Sequence, residues 1–139
     1  MGYTTTFSGL LEFTKPLTKE EKEKLQTFMG ADCREHPEWG NEHEYLTWID
    51  LKIDEDGCGY NGGLVWDGSE KTYDLPEKIN LILRIMRTQF PTFNLKGTMY
   101  AQGEEWNDRW ALTIENGWAV VKETFLTTEN QCPNCGHVY

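Results

Sequence analysis

A chain of 139 residues is one domain's worth, long enough to bury a core without disulfide or metal staples. Its 23 acidic and 13 basic residues give a formal net charge of −10, which opposes phosphate-driven binding to nucleic acid and leaves a cationic partner open. No apolar run nears the roughly 18 residues of a membrane span. The opening "MGYTTTFSGLLEF" has neither the basic region nor the long apolar region of a secretory signal, so a cytoplasmic, reducing location without membrane partner is expected. "MGYTTT" satisfies the loose myristoylation pattern and is read as coincidence.

In residues 3–13 alternate positions Tyr3, Thr5, Phe7, Gly9, Leu11 and Phe13 share one face, which predicts a strand stopped by Pro16. "LTKEEKEKL" opens a helix with Thr18 as cap and Glu21 three residues on as a capping box. Leu25, Phe28 and Met29 supply its apolar stripe, and Gly30 and Pro37 bracket its end. After a polar loop over 37–44, "YLTWIDLKI" alternates Tyr45, Thr47, Ile49, Leu51 and Ile53 as a second strand. "DEDGCGYNGG" is a turn and "LVWD" a short third strand.

Asp74 and Glu77 bracket Leu75-Pro76 as a second capping box, with proline tolerated in the first turn. Ile79, Ile82, Leu83, Met86 and Phe90 then recur at three- and four-residue steps, so a helix is expected over about 75–90. Leu95, Gly97, Met99 and Ala101 alternate, "RWALTIE" returns, and Asn116-Gly117 predicts a type I′ hairpin. In that register Glu115 faces Trp118, Ile114 faces Ala119 and Leu112 faces Val121, with Trp110 and Trp118 expected inside. The expected fold is α+β: a mostly antiparallel sheet with two helices on one face, in the order β-α-β-β-α-β-β-β. It makes a single domain over 1–126, with a C-terminal knuckle tail over 127–139 packing back on it.

Chemistry-bearing residues fall in three places. Cys132-x-x-Cys135 and Cys33-x-x-His36 have ligand spacing, and together they make a Cys3His set, a composition that structural zinc uses. His137 in place of His36, Cys58 in place of Cys33, the nearby His43, or a zinc shared between two chains of a homodimer are alternatives of the same chemistry. Four protein ligands would make the site a clasp rather than a catalyst. "DEDGCGYNGG" fails as an EF-hand, because Val65 stands where the bidentate Glu belongs.

The segments "WDGSEKTYD" and "AQGEEWNDRW" interleave aromatic rings with carboxylates and amides. That mixture can stack a planar ligand and read its N–H edges, so Trp66, Asp67, Glu70, Lys71, Tyr73, Gln102, Glu104, Asp108 and Arg109 are the candidate ligand-binding residues. Lys71, Lys96 and Arg109 would meet a phosphate if the ligand carries one. They carry no His within reach in sequence, no Ser or Cys paired with a base and no spaced ligand set, so no catalytic residue is assigned. Two further readings use the same acids: a metal-assisted hydrolase on Asp67, Glu70, Glu104 and Asp108, and an acidic decoy of DNA.

"YTTTFSGLLEFTKPLT", "LVWDGSEKTYD" and "NLKGTMYAQGEEWNDRWALTIENGWAV" resemble, in the same order, the opening, WDG-E-K and QGE segments of a family of small uncharacterised bacteriophage and bacterial proteins. The resemblance covers most of residues 3–121, and "CPNCGHVY" is an extension beyond it. It implies a phage accessory protein or prophage relic, not a virion structural protein or a housekeeping enzyme. The aromatic-plus-carboxylate segments, the acidic charge and the lack of a catalytic constellation lead to the expectation of a protein in the cytoplasm of a bacterial host that sequesters a host protein or a nucleotide-like small molecule without turnover, as in counter-defence.

Overall fold

The computed structural model describes residues 5–40, 46–54, 61–69, 72 and 74–122. Strand β1 (Thr6–Phe13) is followed by helix α1 (Lys19–Gln26), two 3-10 turns (Cys33–Glu35 and Pro37–Trp39), strands β2 (Leu51–Asp54) and β3 (Gly63–Trp66), helix α2 (Leu75–Gln89), and strands β4 (Leu95–Gln102), β5 (Arg109–Glu115) and β6 (Trp118–Lys122). The six strands form one sheet in the order β2-β3-β1-β4-β5-β6, every neighbouring pair antiparallel. This is an α+β architecture.

Period-two patterning decides which face of the sheet is covered. Phe7, Leu11, Phe13, Leu64, Leu95, Met99, Ala101, Leu112 and Ala119 join one core with Leu25 of α1 and Ile79, Ile82, Leu83 and Met86 of α2. The alternate positions Ser8, Lys96 and Tyr100 stay exposed on the other face. The β5–β6 turn has Asn116 at φ 54° and Gly117 at φ 83°, two positive angles in succession as a type I′ turn requires. Glu115 accordingly faces Trp118, and Ile114 faces Ala119.

Helix α1 begins on a complete capping box: Glu21 N–H donates to Thr18 Oγ1 at 3.1 Å and Thr18 N–H donates to Glu21 Oε1 at 2.9 Å. Lys15 Nζ adds an ion pair at 3.0 Å. Burial raises the Glu21 carboxyl, but the Thr18 N–H and the Lys15 ammonium outweigh it and hold the group below the usual value. Its stabilising contribution is therefore full above the ordinary carboxylate range and lost as pH falls through the lowered value. Glu21→Gln should cost about 1 kcal/mol at neutral pH. Urea unfolding at neutral pH and near pH 3 should show that the gap to the parent chain shrinks in acid.

Four expectations need correction. The second strand is shorter than the 45–53 alternation predicts, because residues 47–49 spend their backbone groups on the chain after α1. Ile49 N–H donates to Ala31 O at 2.8 Å, Gly30 N–H to Ile49 O at 2.9 Å, and Cys33 N–H to Thr47 O at 3.1 Å. Phe28 and Met29 lie past the end of α1 in the turn that follows Gln26. The second capping box does not form: Asp74 takes a left-handed conformation (φ 57°, ψ 37°) and its side chain makes no cap bond, whereas a capping residue needs extended backbone. Trp118, expected inside, is 42% exposed, since its strand position alternates away from Ala119, and Arg87 of α2 covers its ring at 4.9 Å. Trp110 is half-buried against the core.

Candidate functional site

"WDGSEK" is turned inward. Trp66 packs on Phe7 with centroids 5.7 Å apart, and its Nε1 donates to Thr72 Oγ1 at 2.8 Å. Thr72 donates in turn to Ser69 O. Asp67 closes a local turn, its Oδ1 accepting from Ser69 N–H at 2.9 Å and Ser69 Oγ at 2.6 Å, a hydrogen-bonding habit of Asp in turns. Its own N–H donates to Asp50 O. Trp66 and Asp67 therefore brace the loop that leads into α2. Glu70, Lys71 and Tyr73 lie outside the described residues.

Beneath that loop is a polar cluster that pattern reading missed. Lys78 of α2 is fully buried, with Nζ 3.2 Å from Thr47 Oγ1 and 3.5 Å from Asp50 Oδ2. Burial raises the Asp50 carboxyl above its usual value; the Lys78 ammonium pulls the other way without cancelling it. In sequence Lys78 sits on the apolar side of a helix, next to Ile79, and that is the one signal that could have flagged it.

"QGEEWND" makes the β4–β5 loop. Gln102 Nε2 donates to Gly103 O and Glu105 O at 3.0 Å each, tying the loop to the end of its strand. Gly103 N–H donates to Asp108 O at 2.8 Å, and Arg109 Nε donates to Trp106 O at 2.9 Å. The Arg109 guanidinium stands 6.0 Å from the centre of the Trp106 ring, which is 77% exposed at the loop tip. Glu104 is exposed on the same loop.

A cleft of about 430 Å3 opens where this loop, the first turn of α2 and the far end of β6 meet. Its lining is Asp74, Pro76 and Glu77 of α2's start, Asn107, Asp108, Arg109 and Trp110 of the loop and β5, and Val121 of β6. The volume lies within the range of about 300–1,000 Å3 usual for ligand pockets. Asp74 lines the cleft with a left-handed backbone, its carboxylate making no bond to the helix end. Neither Asp74 nor Glu77 forms an ion pair or side-chain hydrogen bond with another described residue. Trp110 meets Phe7 edge-on at 5.7 Å, and Phe7 touches Trp66 on its other side, so the two sequence clusters are joined through one core ring.

Of the residues predicted to bind a ligand, Asp108 and Arg109 line the cleft. Gln102 and Glu104 belong to the loop behind it, and Trp66 and Asp67 lie on the far side of Phe7. Lys96 is elsewhere, 4.0 Å from Glu12 on the sheet. Pro76, Glu77 and Val121 join the cleft from outside the two segments, whereas Asp74, Asn107 and Trp110 lie within them, Trp110 among their interleaved aromatic rings.

Of the Cys3His set, Cys132 and Cys135 lie outside the described residues, as do Cys58, His43 and His137. Cys33 is fully buried in the core, and burial pushes its thiol up to about 11. His36 lies flat on Trp39, with centroids 4.0 Å apart and planes 9° from parallel, and its Nδ1 is 2.8 Å from Glu38 Oε2. Among the described residues no three His, Cys, Asp or Glu side chains gather closely enough to hold a metal ion. That includes Asp67, Glu104 and Asp108 of the hydrolase reading, whose fourth acid, Glu70, lies outside the described residues. No helix of the described chain is long and apolar enough to cross a membrane. Set against protein-family profiles, curated proteins and solved structures, the chain matches none of them.

Proposed function

We propose that this is a non-catalytic binding protein, an accessory protein of the bacteriophage type that its segments resemble, which sequesters a basic host factor through the cleft at the start of α2. The observation that carries the reading is the pair of carboxylates Asp74 and Glu77, engaged by no other described residue, beside the Trp110 indole. An arginine guanidinium suits such a lining: it is planar, permanently charged, stacks on an aromatic ring and takes carboxylates in its N–H fork.

The same lining weighs against a nucleotide phosphate. Three carboxylates (Asp74, Glu77 and Asp108) face one guanidinium, and that guanidinium is already tied to the Trp106 carbonyl. Like charge at an interface costs affinity as well as on-rate. The net charge of −10 adds long-range attraction for a basic partner.

An NMR titration with argininamide tests the reading. The amide signals of Trp110 and Glu77 should shift saturably, the affinity should fall as salt is added, and Asp74→Asn with Glu77→Gln should weaken it by about tenfold or more. Adenosine and guanosine monophosphates should leave those signals in place. Nucleotide binding in the cleft, or argininamide shifts that survive the double substitution, would overturn the assignment.

A further inference from the structure

Strand β6 is an edge of the sheet among the described residues, and two side chains of α2 cap the part of it nearest the β5–β6 turn. In the β5–β6 hairpin, opposed pairs alternate between hydrogen-bonded and non-hydrogen-bonded, so alternate residues of β6 turn their N–H and C=O outward. Ala119 is one of these, and Asn80 takes both groups: Ala119 N–H donates to Asn80 Oδ1 at 2.8 Å, and Asn80 Nδ2 donates to Ala119 O at 3.1 Å. One step nearer the turn, Arg87 Nη2 donates to Gly117 O at 2.7 Å. A polar cap of this kind keeps other strands from adding to an edge.

Val121 shares the parity of Ala119, opposite Leu112. Its N–H and C=O therefore also face outward, and no described side chain caps them. Val121 is 53% exposed and is the β6 residue that lines the cleft. The stretch of edge that no described side chain caps thus coincides with the acidic, indole-bearing space beside Asp74, Glu77 and Trp110.

We propose that the cleft receives an extended, arginine-bearing segment of the partner protein. The segment pairs its backbone with Val121 while an arginine side chain enters between Asp74 and Glu77. This rests on the cationic reading of the cleft and adds to it the form of the partner. Strand addition supplies affinity through main-chain hydrogen bonds and leaves selectivity to the alternate side chains that enter pockets. Asn80 sets the limit of the pairing, because the added segment cannot run past Ala119. The charge complementarity is with a basic chain: three carboxylates to one guanidinium in the lining.

The test compares two probes on the same protein, argininamide and a fluorescent heptapeptide of alternating valine and arginine. Val121→Pro removes the outward N–H without removing a bond to β5, and proline is tolerated on an edge strand in that orientation. The parent chain should bind the peptide at least tenfold more tightly than argininamide. Val121→Pro, with its thermal transition checked, should lose that advantage, read as the ratio of peptide to argininamide affinity on the variant itself. A peptide N-methylated along its backbone should lose the advantage on the unmodified protein, a readout independent of how the variant folds. If the peptide holds no advantage, or keeps it against Val121→Pro and after N-methylation, strand addition is overturned while the cation site stands. If argininamide itself does not bind, both fall.

Discussion

Lys78→Ala is expected to cost the fold about 3–5 kcal/mol, and Asp50→Ala a similar amount, because each leaves the other's charge buried and unpaired. The ammonium of Lys78 is fully buried, held between Thr47 and Asp50 under the loop that Trp66 and Thr72 brace. Replacing both residues with apolar ones of similar size, Asp50→Leu with Lys78→Met, should cost far less than the sum of the single changes, since the desolvation of two charges disappears with them. Urea unfolding of the four proteins gives the coupling energy directly.

The pH dependence has a definite sign. A carboxyl raised in the folded state binds its proton there more readily than in the unfolded chain, so the stability it allows falls as pH rises from its ordinary value, about 4, through the raised one. Lys78→Met removes the ammonium that favours the Asp50 anion. Its deficit against the parent chain should therefore be largest at neutral pH and narrow on acidification. A deficit that widens in acid would mean that Asp50 is not the group left behind.

Gly63→Ala is the second large effect, with an expected loss of about 3 kcal/mol and a fall in melting temperature of about 10 °C. Gly63 pairs with Glu12 of β1 on one side and Asp54 of β2 on the other. A β-carbon there would run into Leu10 Cδ1 and stand 2.5 Å from the Leu11 carbonyl oxygen and 3.0 Å from Glu12 Cα. The leucine tip can swing aside, but the Leu11 backbone cannot. Strand β1 is fixed on its far side by eight residues of pairing with β4. Gly68→Ala is the control: nothing lies within 4 Å of its β-carbon, so only the left-handed backbone, φ 89°, is penalised, by about 1 kcal/mol. Similar losses at the two positions would show that strand approach is not what Gly63 protects.

What the sequence determined by itself is local. The alternation of Phe7, Leu11 and Phe13, the three- and four-residue steps of α2, the Thr18–Glu21 box and the Asn116-Gly117 turn each depend on a few neighbouring residues, and the α+β class follows from them. The same habit of reading locally misassigned Asp74, whose spacing to Glu77 matches a capping box but whose backbone is left-handed. It also extended the second strand through residues whose partners prove to be the chain after α1.

Only the tertiary structure decided the cleft and the buried pair. Lys78 finds Thr47 and Asp50 at separations of 31 and 28 residues. Asn80 closes the edge of β6 across 39. Asp74, Trp110 and Val121 become neighbours because α2 lies along that edge and brings its first turn beside the β4–β5 loop. No periodicity carries such contacts. An apolar stripe records that a residue is buried, while the partner of a buried charge, or the stretch of edge a helix leaves uncapped, depends on which elements the packed core sets side by side.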